Sequence, residues 1–201
     1  MRTFQGFART ICDCENCAMN CRFIPGYLLP EDLARLLDLH PAECMVGFAE
    51  KYLFASPGAK VLKAGKILQV PTLVPARKPD GSCVFFDGAH CTVHAVSPFG
   101  CAFFDAHQTR SESDRISMQG VLILMREWEL YEKCHSEYAS LWKHLFSLGL
   151  VAPSPNESRE KMGAYMVAKF LEDHEGKSHS EMLAALKDQI RKYEQEARRG
   201  L

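Results

Sequence analysis

The sequence has no apolar run that approaches the length of a membrane span, and it has almost no net charge. Its 201 residues carry a formal net charge of −1, whereas a helix that crosses a bilayer needs about 20 apolar residues in a row. No overall field therefore favours nucleic acid or an anionic membrane as a partner. Residues 1–7 lack the apolar stretch of a secretory signal, so we expect a cytoplasmic protein.

Several catalytic motifs are also missing. The chain has no Walker-type phosphate loop, no G-x-G-x-x-G and no H-E-x-x-H. Cys101, His107 and Asp105 supply the residue types of a nucleophilic-cysteine enzyme. However, a chain with nine cysteines and eight histidines offers such triples by chance. The sequence therefore identifies no catalytic residue and no substrate, and it leaves open whether the protein is an enzyme.

Cysteine is what the sequence has in excess. Two clusters hold most of the nine cysteines: Cys12, Cys14, Cys17 and Cys21 in the first, and Cys83, Cys91 and Cys101 in the second. In the reducing cytoplasm, clustered cysteines more often bind metal or perform redox chemistry than form structural disulfides. The remaining two, Cys44 and Cys134, fall within predicted helices, and we expect both to pack in the core.

The spacing of the first cluster suits a soft metal. Cys14-x2-Cys17 brings two thiolates within reach of one ion, and Cys21 adds a third if a helix starts there. Thiolates select zinc, Cu(I) or iron–sulfur clusters over magnesium or calcium. Cys12 lies on the same side as Cys14 if the backbone is extended. It is then a fourth ligand, a redox partner or a bystander.

The second cluster offers mixed ligands. Cys91-x2-His94 is a bidentate spacing, which makes His94 an additional candidate ligand. Zinc accepts cysteine and histidine together in a tetrahedron, whereas four-iron clusters mostly take four cysteines. The surrounding phenylalanines interleave with few Lys or Arg residues, so we expect them to shield a site rather than to stack on bases.

The patterning predicts an α+β protein that is mostly α-helical, with a small antiparallel sheet near the middle. Predicted helices begin at Pro30, about Ala42, about Ser113 (one long helix to about Leu145), Ser154 and about Ser180. Predicted strands lie on both sides of a Gly65 turn and at 82–86. We expect a cysteine-cluster region over 1–110 and a helical region over 111–201, packed as one compact domain.

A longer pattern joins the two clusters. It consists of Cys14-x2-Cys17-x3-Cys21, Gly26-Tyr27, Glu31-Asp32-Leu33, Gly81-Ser82-Cys83-Val84-Phe85-Phe86, Cys91-Thr92-Val93-His94-Ala95 and Pro98-Phe99-Gly100-Cys101 with Phe103. This pattern resembles the CxxCxxxCC proteins, also called the YkgJ-like cysteine-cluster family, over about residues 12–105. The chain departs from the family at Arg22, where a cysteine is usual, and at Ser97 and Ala102, where arginines are usual.

The resemblance implies a metal site more than a reaction. The family is described as zinc- or iron-chelating, some relatives are thought to carry iron–sulfur clusters, and one relative is a flagellin lysine methylase. The expected metal ligands are Cys14, Cys17, Cys21, Cys83, Cys91 and Cys101, with Cys12 and His94 as additional candidates. Six thiolates exceed one tetrahedral zinc or one four-iron cluster, so some lie outside the first coordination shell, the site is polynuclear, or there are two sites.

Two functions therefore remain open. In the first, an iron–sulfur cluster or iron, with zinc as the alternative metal, is the cofactor of a redox or metal-dependent reaction. In the second, zinc holds the structure together and the C-terminal helices bind a protein partner. An open coordination position favours the first function, and a closed four-cysteine site favours the second.

Overall fold

The computed structural model describes residues 3–12, 14–63, 66–133 and 136–199. Its helices are α1 (Glu15–Phe23), α2 (Pro30–Leu37), α3 (Met45–Tyr52), α4 (Phe99–Ala102), α5 (Arg110–Lys133), α6 (Glu137–Ser147), α7 (Pro155–Asp173) and α8 (His179–Arg199). Its strands are β1 (Thr3–Phe4), β2 (Phe7–Ala8), β3 (Leu53–Lys63) and β4 (Lys66–Pro75). The predicted α+β, mostly helical class with a small antiparallel sheet is confirmed. Across the described ranges, no helix has the length and apolarity to span a bilayer.

The β3–β4 hairpin is the element against which several helices pack. The two strands pair antiparallel from Leu53↔Pro75 to Lys63↔Lys66, with a register shift between Ser56 and Ala59. Helices α3, α5 and α6 pack against this hairpin, and α7 packs on α1. The buried aromatic side chains Phe48, Phe99, Phe103 and Tyr138 belong to one core, so α6 shares a core with the segment that carries Cys101.

Local chemistry explains where several helices begin. Pro30 opens α2, where its missing N–H costs nothing, and the acidic side chains of Glu31 and Asp32 lie in the first turn. The Ser154 side chain accepts a hydrogen bond from Glu157 N at 3.1 Å and caps α7. Both starts are confirmed. The turn at residues 64–65, which links the two strands, lies outside the described residues.

Three sequence-based expectations about secondary structure are wrong. The predicted strand over 82–86 is a run of turns with two isolated bridges, Arg77↔Cys83 and Phe86↔Cys91. Its N–H groups bond to two different segments: Cys83 N donates to Arg22 O and Val84 N to Ala76 O, both at 2.8 Å. No single ladder can therefore extend through it.

The second difference is that Ser56-Pro57-Gly58 does not end a helix but lies inside β3. Gly58 has φ +89°, and a Cβ atom there would meet Val70 O at 1.4 Å, so glycine permits a bulge where the strand pair shifts register. The third is that the long predicted helix is divided, because Ser136 has an extended backbone and caps α6 by accepting from Ala139 N. Cys134 and His135 lie outside the described residues.

Candidate metal centre

The structure divides the clustered cysteines into two neighbouring groups. The histidine-containing group comprises Cys12, Cys14, Cys17 and His107, and the four-cysteine group comprises Cys21, Cys83, Cys91 and Cys101. All eight cysteines of the described residues are free thiols. Helix α1 contributes Cys17 to the first group and Cys21 to the second. These two residues are four apart, so they lie on one face of the helix, one turn from each other.

The histidine-containing group has the geometry of a site for one ion. Its three sulfurs and one imidazole nitrogen all lie within 4.8 Å of one another, and Cys14 Sγ is 3.2 Å from His107 Nε2. Cys14 is the N-cap of α1 and has an extended backbone. The chain therefore turns into the helix between Cys14 and Cys17, which is how the two-residue spacer brings their thiols together.

His107 reaches this group through a turn that Asp105 stabilises. Asp105 Oδ1 accepts from His107 N at 2.8 Å, and its Oδ2 accepts from Thr10 Oγ1 at 2.7 Å. In the same turn, Ala106 N donates to Cys17 Sγ at 3.3 Å. One carboxylate thus ties the N-terminal segment to the turn that carries the histidine.

The thiols of this group differ in acidity. The pKa of Cys14 is lowered to about 6, first by the Cys17 N–H and then by the His107 side chain. Burial raises the pKa of Cys17 to about 12. Metal ligands must be deprotonated, so Cys14 offers a thiolate at neutral pH, whereas Cys17 must lose a proton when it binds an ion.

The four-cysteine group is assembled from three separate parts of the chain. Cys21 comes from α1, Cys83 and Cys91 from the loop after β4, and Cys101 from α4. Together with Phe85, Phe86 and other apolar side chains, they line a small cavity of about 10 Å³. Cys101 Sγ also accepts a hydrogen bond from Gly26 N at 3.1 Å.

These thiols favour the protonated state when no metal is bound. Burial is the main cause that raises the pKa of Cys21 and Cys91, and it raises that of Cys83 to about 12. The pKa of Cys101 is also raised, by burial and then by the charges of the other three thiols. Metal binding here therefore releases protons.

A larger cavity of about 170 Å³ lies between the two groups. Both groups line it: Cys12 and Cys17 come from the first group, and Cys21, Cys91 and Cys101 from the second. The last three also line the small cavity, so the four-cysteine group borders more space than one water molecule occupies.

The two groups differ in their donor sets. In a tetrahedral zinc site with Zn–S bonds of about 2.3 Å, the sulfurs are about 3.8 Å apart. Within the described parts of the chain, the histidine-containing group is the one whose ligand atoms all come within 4.8 Å, and Cys₃His is a structural zinc set. The four-cysteine group offers four thiols, the usual ligand set of a four-iron cluster.

The six predicted ligands thus fall into both groups. Cys14 and Cys17 belong to the first, and Cys21, Cys83, Cys91 and Cys101 belong to the second. The additional candidate Cys12 joins the first group, and His94 lines the cavity between the groups without being part of either. The sequence pattern did not predict His107 as a ligand, because His107 is 93 residues from Cys14 and no local spacing links the two.

Cys44 and Arg22 lie outside the two groups. The prediction that Cys44 packs in the core is wrong: it is exposed, and its Sγ accepts from Gly47 N as the N-cap of α3, because α3 begins after it. The guanidinium of Arg22 lies over the rings of Phe86 and Tyr165. It donates to Gly88 O at 3.2 Å and so attaches α1 to the loop of the second cluster.

The geometry therefore supports a cysteine-rich metal site without a disulfide among the described cysteines. Membership of the cysteine-cluster family stays a prediction. In comparisons with known proteins, no family model, no curated protein and no solved structure matches this chain.

Proposed function

We propose that this chain is a cytoplasmic metalloprotein with two cysteine-ligated centres and a redox role. The histidine-containing group holds one ion, zinc or iron, and the four-cysteine group holds an iron–sulfur cluster. The observation that carries the proposal is the four-cysteine group itself. Four free thiols from distant parts of the chain line one apolar cavity, and four cysteines are the usual ligand set of a four-iron cluster.

Four thiols in one apolar cavity carry an electrostatic cost. Thiols are small hydrophobes that can pack singly in a core, but here burial, and then the charges of the other three thiols, raise the pKa of Cys101. Four ionised thiols repel one another unless a bound cation neutralises their charge. When bound, an iron–sulfur cluster supplies electron transfer, and the protein sets its potential through burial and hydrogen bonds to sulfur.

The residues around the four-cysteine group provide both of these features. Phe85 and Phe86 are buried and shield the cavity from solvent. Gly26 N donates to Cys101 Sγ, which disperses negative charge on that sulfur. The chain thus supplies an apolar wall and a hydrogen-bond donor, both of which tune a bound cluster.

The second candidate function is that of a structural zinc protein with a partner-binding helical half. The Cys₃His set of the histidine-containing group favours it, because such a set closes a zinc tetrahedron. The C-terminal helices also carry exposed apolar side chains: Val167, Leu171, Leu183, Leu186 and Ile190. In this alternative, zinc occupies both groups and the chain holds no labile sulfide.

The test is metal and sulfide analysis of protein made and purified without oxygen, with three matched variants. Cys17→Ser and Cys21→Ser change thiols one turn apart on α1, and Cys44→Ser changes an exposed thiol outside both groups. We expect the unaltered protein to contain iron, acid-labile sulfide and a broad visible absorption. Cys21→Ser should lose the iron and sulfide but keep the other ion, Cys17→Ser should do the reverse, and Cys44→Ser should keep both.

Two results would overturn the proposal. Zinc in both groups, with no sulfide and a colourless spectrum, would establish the structural alternative. A reduced, anaerobically purified protein that holds no metal, and whose folding is unchanged by Cys17→Ser or by Cys91→Ser, would contradict both functions.

A further inference from the structure

Arg9 bonds to the segment between Cys91 and Cys101, two members of the four-cysteine group. Its Nη1 donates to Ala95 O and its Nη2 to Ser97 Oγ, both at 3.3 Å. Ala95 lies in the short 3-10 turn His94–Val96 and Ser97 directly follows it. This turn connects Cys91 to the helix that carries Cys101. Ser97 is buried, so the guanidinium is directed toward the protein rather than into open solvent.

The backbone on both sides holds Arg9 in place. Arg9 follows strand β2, and Thr10 N donates to Ala102 O at 2.9 Å. Thr10 Oγ1 also donates to Asp105 Oδ2. The N-terminal segment therefore runs along α4, next to Cys101, and four hydrogen bonds of Arg9 and Thr10 define the position of the guanidinium.

The acceptor Ser97 places the guanidinium next to the thiols. Ser97 accepts from Arg9 Nη2, and it lines the cavity of about 170 Å³ together with Cys21, Cys91 and Cys101. Arg77 instead bonds to Phe23 O, Gly81 O and Ser158 Oγ.

We infer that Arg9 is the charge that sets the reduction potential of the four-cysteine centre, an inference that rests on the proposed function. One electron from an external donor adds one negative charge to a centre that its thiolates already make negative. A fixed cation nearby lowers the electrostatic cost of that electron, most strongly where the surroundings are apolar and exclude water. Arg9 is thus a positioning and tuning residue rather than a catalytic one.

The test is a redox titration, followed by visible absorption and electron paramagnetic resonance, of the anaerobic full-length protein. Arg9→Met removes the charge at similar size, and Arg9→Lys keeps it. Arg115→Met is the matched control, because Arg115 is exposed and packs over Phe7 in β2, the strand that Arg9 follows. We expect Arg9→Met to make reduction about tenfold less favourable, which is a potential lower by about 59 mV for one electron. Arg9→Lys and Arg115→Met should stay within about twofold of the unaltered protein.

The outcomes separate the inference from the proposed function. If the unaltered protein holds no iron or sulfide, the proposed function fails and the inference fails with it. If the cluster is present but Arg9→Met leaves the potential unchanged, only the inference fails, and it also fails if Arg9→Lys shifts the potential as much as Arg9→Met. If Arg9→Met cannot retain the cluster while Arg9→Lys retains it at the original potential, the requirement for the charge is supported.

Discussion

The carboxylate of Asp32 is fully buried and accepts a hydrogen bond from Phe99 N at 2.8 Å. The same oxygen accepts from Leu29 N at 2.7 Å, and Arg35 pairs with the other oxygen. Asp32 therefore joins the start of α2 to the start of α4, two residues before Cys101. It connects the stability of the core to the position of a predicted metal ligand.

Asp32→Asn should destabilise the protein and weaken the four-cysteine centre. The amide oxygen can still accept from Leu29 N and Phe99 N, but these bonds lose the carboxylate charge and the amide NH2 then faces the Arg35 guanidinium. Because hydrogen bonds to a charged group contribute about 1.5–3 kcal/mol each, we expect a loss of about 3 kcal/mol in the free energy of unfolding. Denaturant unfolding measures this loss, and iron analysis measures occupancy. Glu31→Gln is the control, because Glu31 forms an exposed pair with Arg35 and should cost less than about 1 kcal/mol. Equal losses in the two variants would contradict the role of Asp32.

Gly100 permits the closest backbone approach at the site. A Cβ atom on Gly100 would lie 2.4 Å from Tyr27 N, and one on Gly26 would lie 1.9 Å from Gly100 C. We therefore expect Gly100→Ala to push the two segments apart, to break the hydrogen bond from Gly26 N to Cys101, and to cost about 1–3 kcal/mol.

The control for Gly100→Ala is Gly163→Ala in α7, where an added Cβ meets nothing within 4 Å. Alanine has a higher helix propensity than glycine, so this variant should gain up to about 1 kcal/mol. Thermal unfolding and iron content distinguish the two. A Gly100→Ala protein with unaltered stability and full iron content would show that the approach of the two backbones is not required.

The sequence predicted the parts of this protein that depend on local chemistry. Pro30, Ser154 and the Cys14-x2-Cys17 spacing each act within one turn of the backbone, and each prediction agrees with the structure. The sequence did not predict that Cys21 lies with Cys83 rather than with Cys17, because the approach of Gly26 to Gly100 sets that grouping. His107 was missed for the same reason, since Asp105 and Thr10 position it through tertiary contacts.

Alkaline pH should destabilise the metal-free, reduced protein. Burial raises the pKa of Cys83 from 9.0 to about 12, so the unfolded chain releases this proton at lower pH than the folded chain does. The stability associated with this thiol is thus fully present below about pH 9 and is lost as pH rises toward 12, by up to about 1.4 kcal/mol per pH unit. Urea unfolding at about pH 8 to 10 measures the slope, and Cys83→Ala should make it shallower. A slope that is the same in Cys83→Ala would contradict the assignment to this thiol.

His107→Ala should remove the ion from the histidine-containing group and leave the four-cysteine centre unchanged. His107 supplies the one nitrogen within 4.8 Å of three thiols, so its loss leaves a three-ligand site, and we expect metal affinity to fall by at least about tenfold. Competition with a chromogenic chelator measures the affinity. The control is His94→Ala, because His94 lines the neighbouring cavity and lies outside the group. A larger effect of His94→Ala than of His107→Ala would reverse the assignment.

Tyr138 connects the helical region to the segment beside Cys101, and Tyr138→Phe should show how much the site depends on that connection. Its buried hydroxyl donates to Leu28 O at 2.8 Å and accepts from Leu73 N at 2.7 Å. Phenylalanine keeps the ring but leaves a buried N–H and a buried carbonyl without this partner. Because each such group costs about 1–3 kcal/mol, we expect a loss of about 3 kcal/mol in the free energy of unfolding.

The control is Tyr131→Phe. The Tyr131 ring is half-buried and the Lys143 ammonium lies over it, so this variant should change the free energy of unfolding by less than about 0.5 kcal/mol. If Tyr138→Phe lowers stability but the iron content stays full, the four-cysteine centre holds its own segment in place. If iron is lost in parallel with stability, packing from α6 maintains the centre.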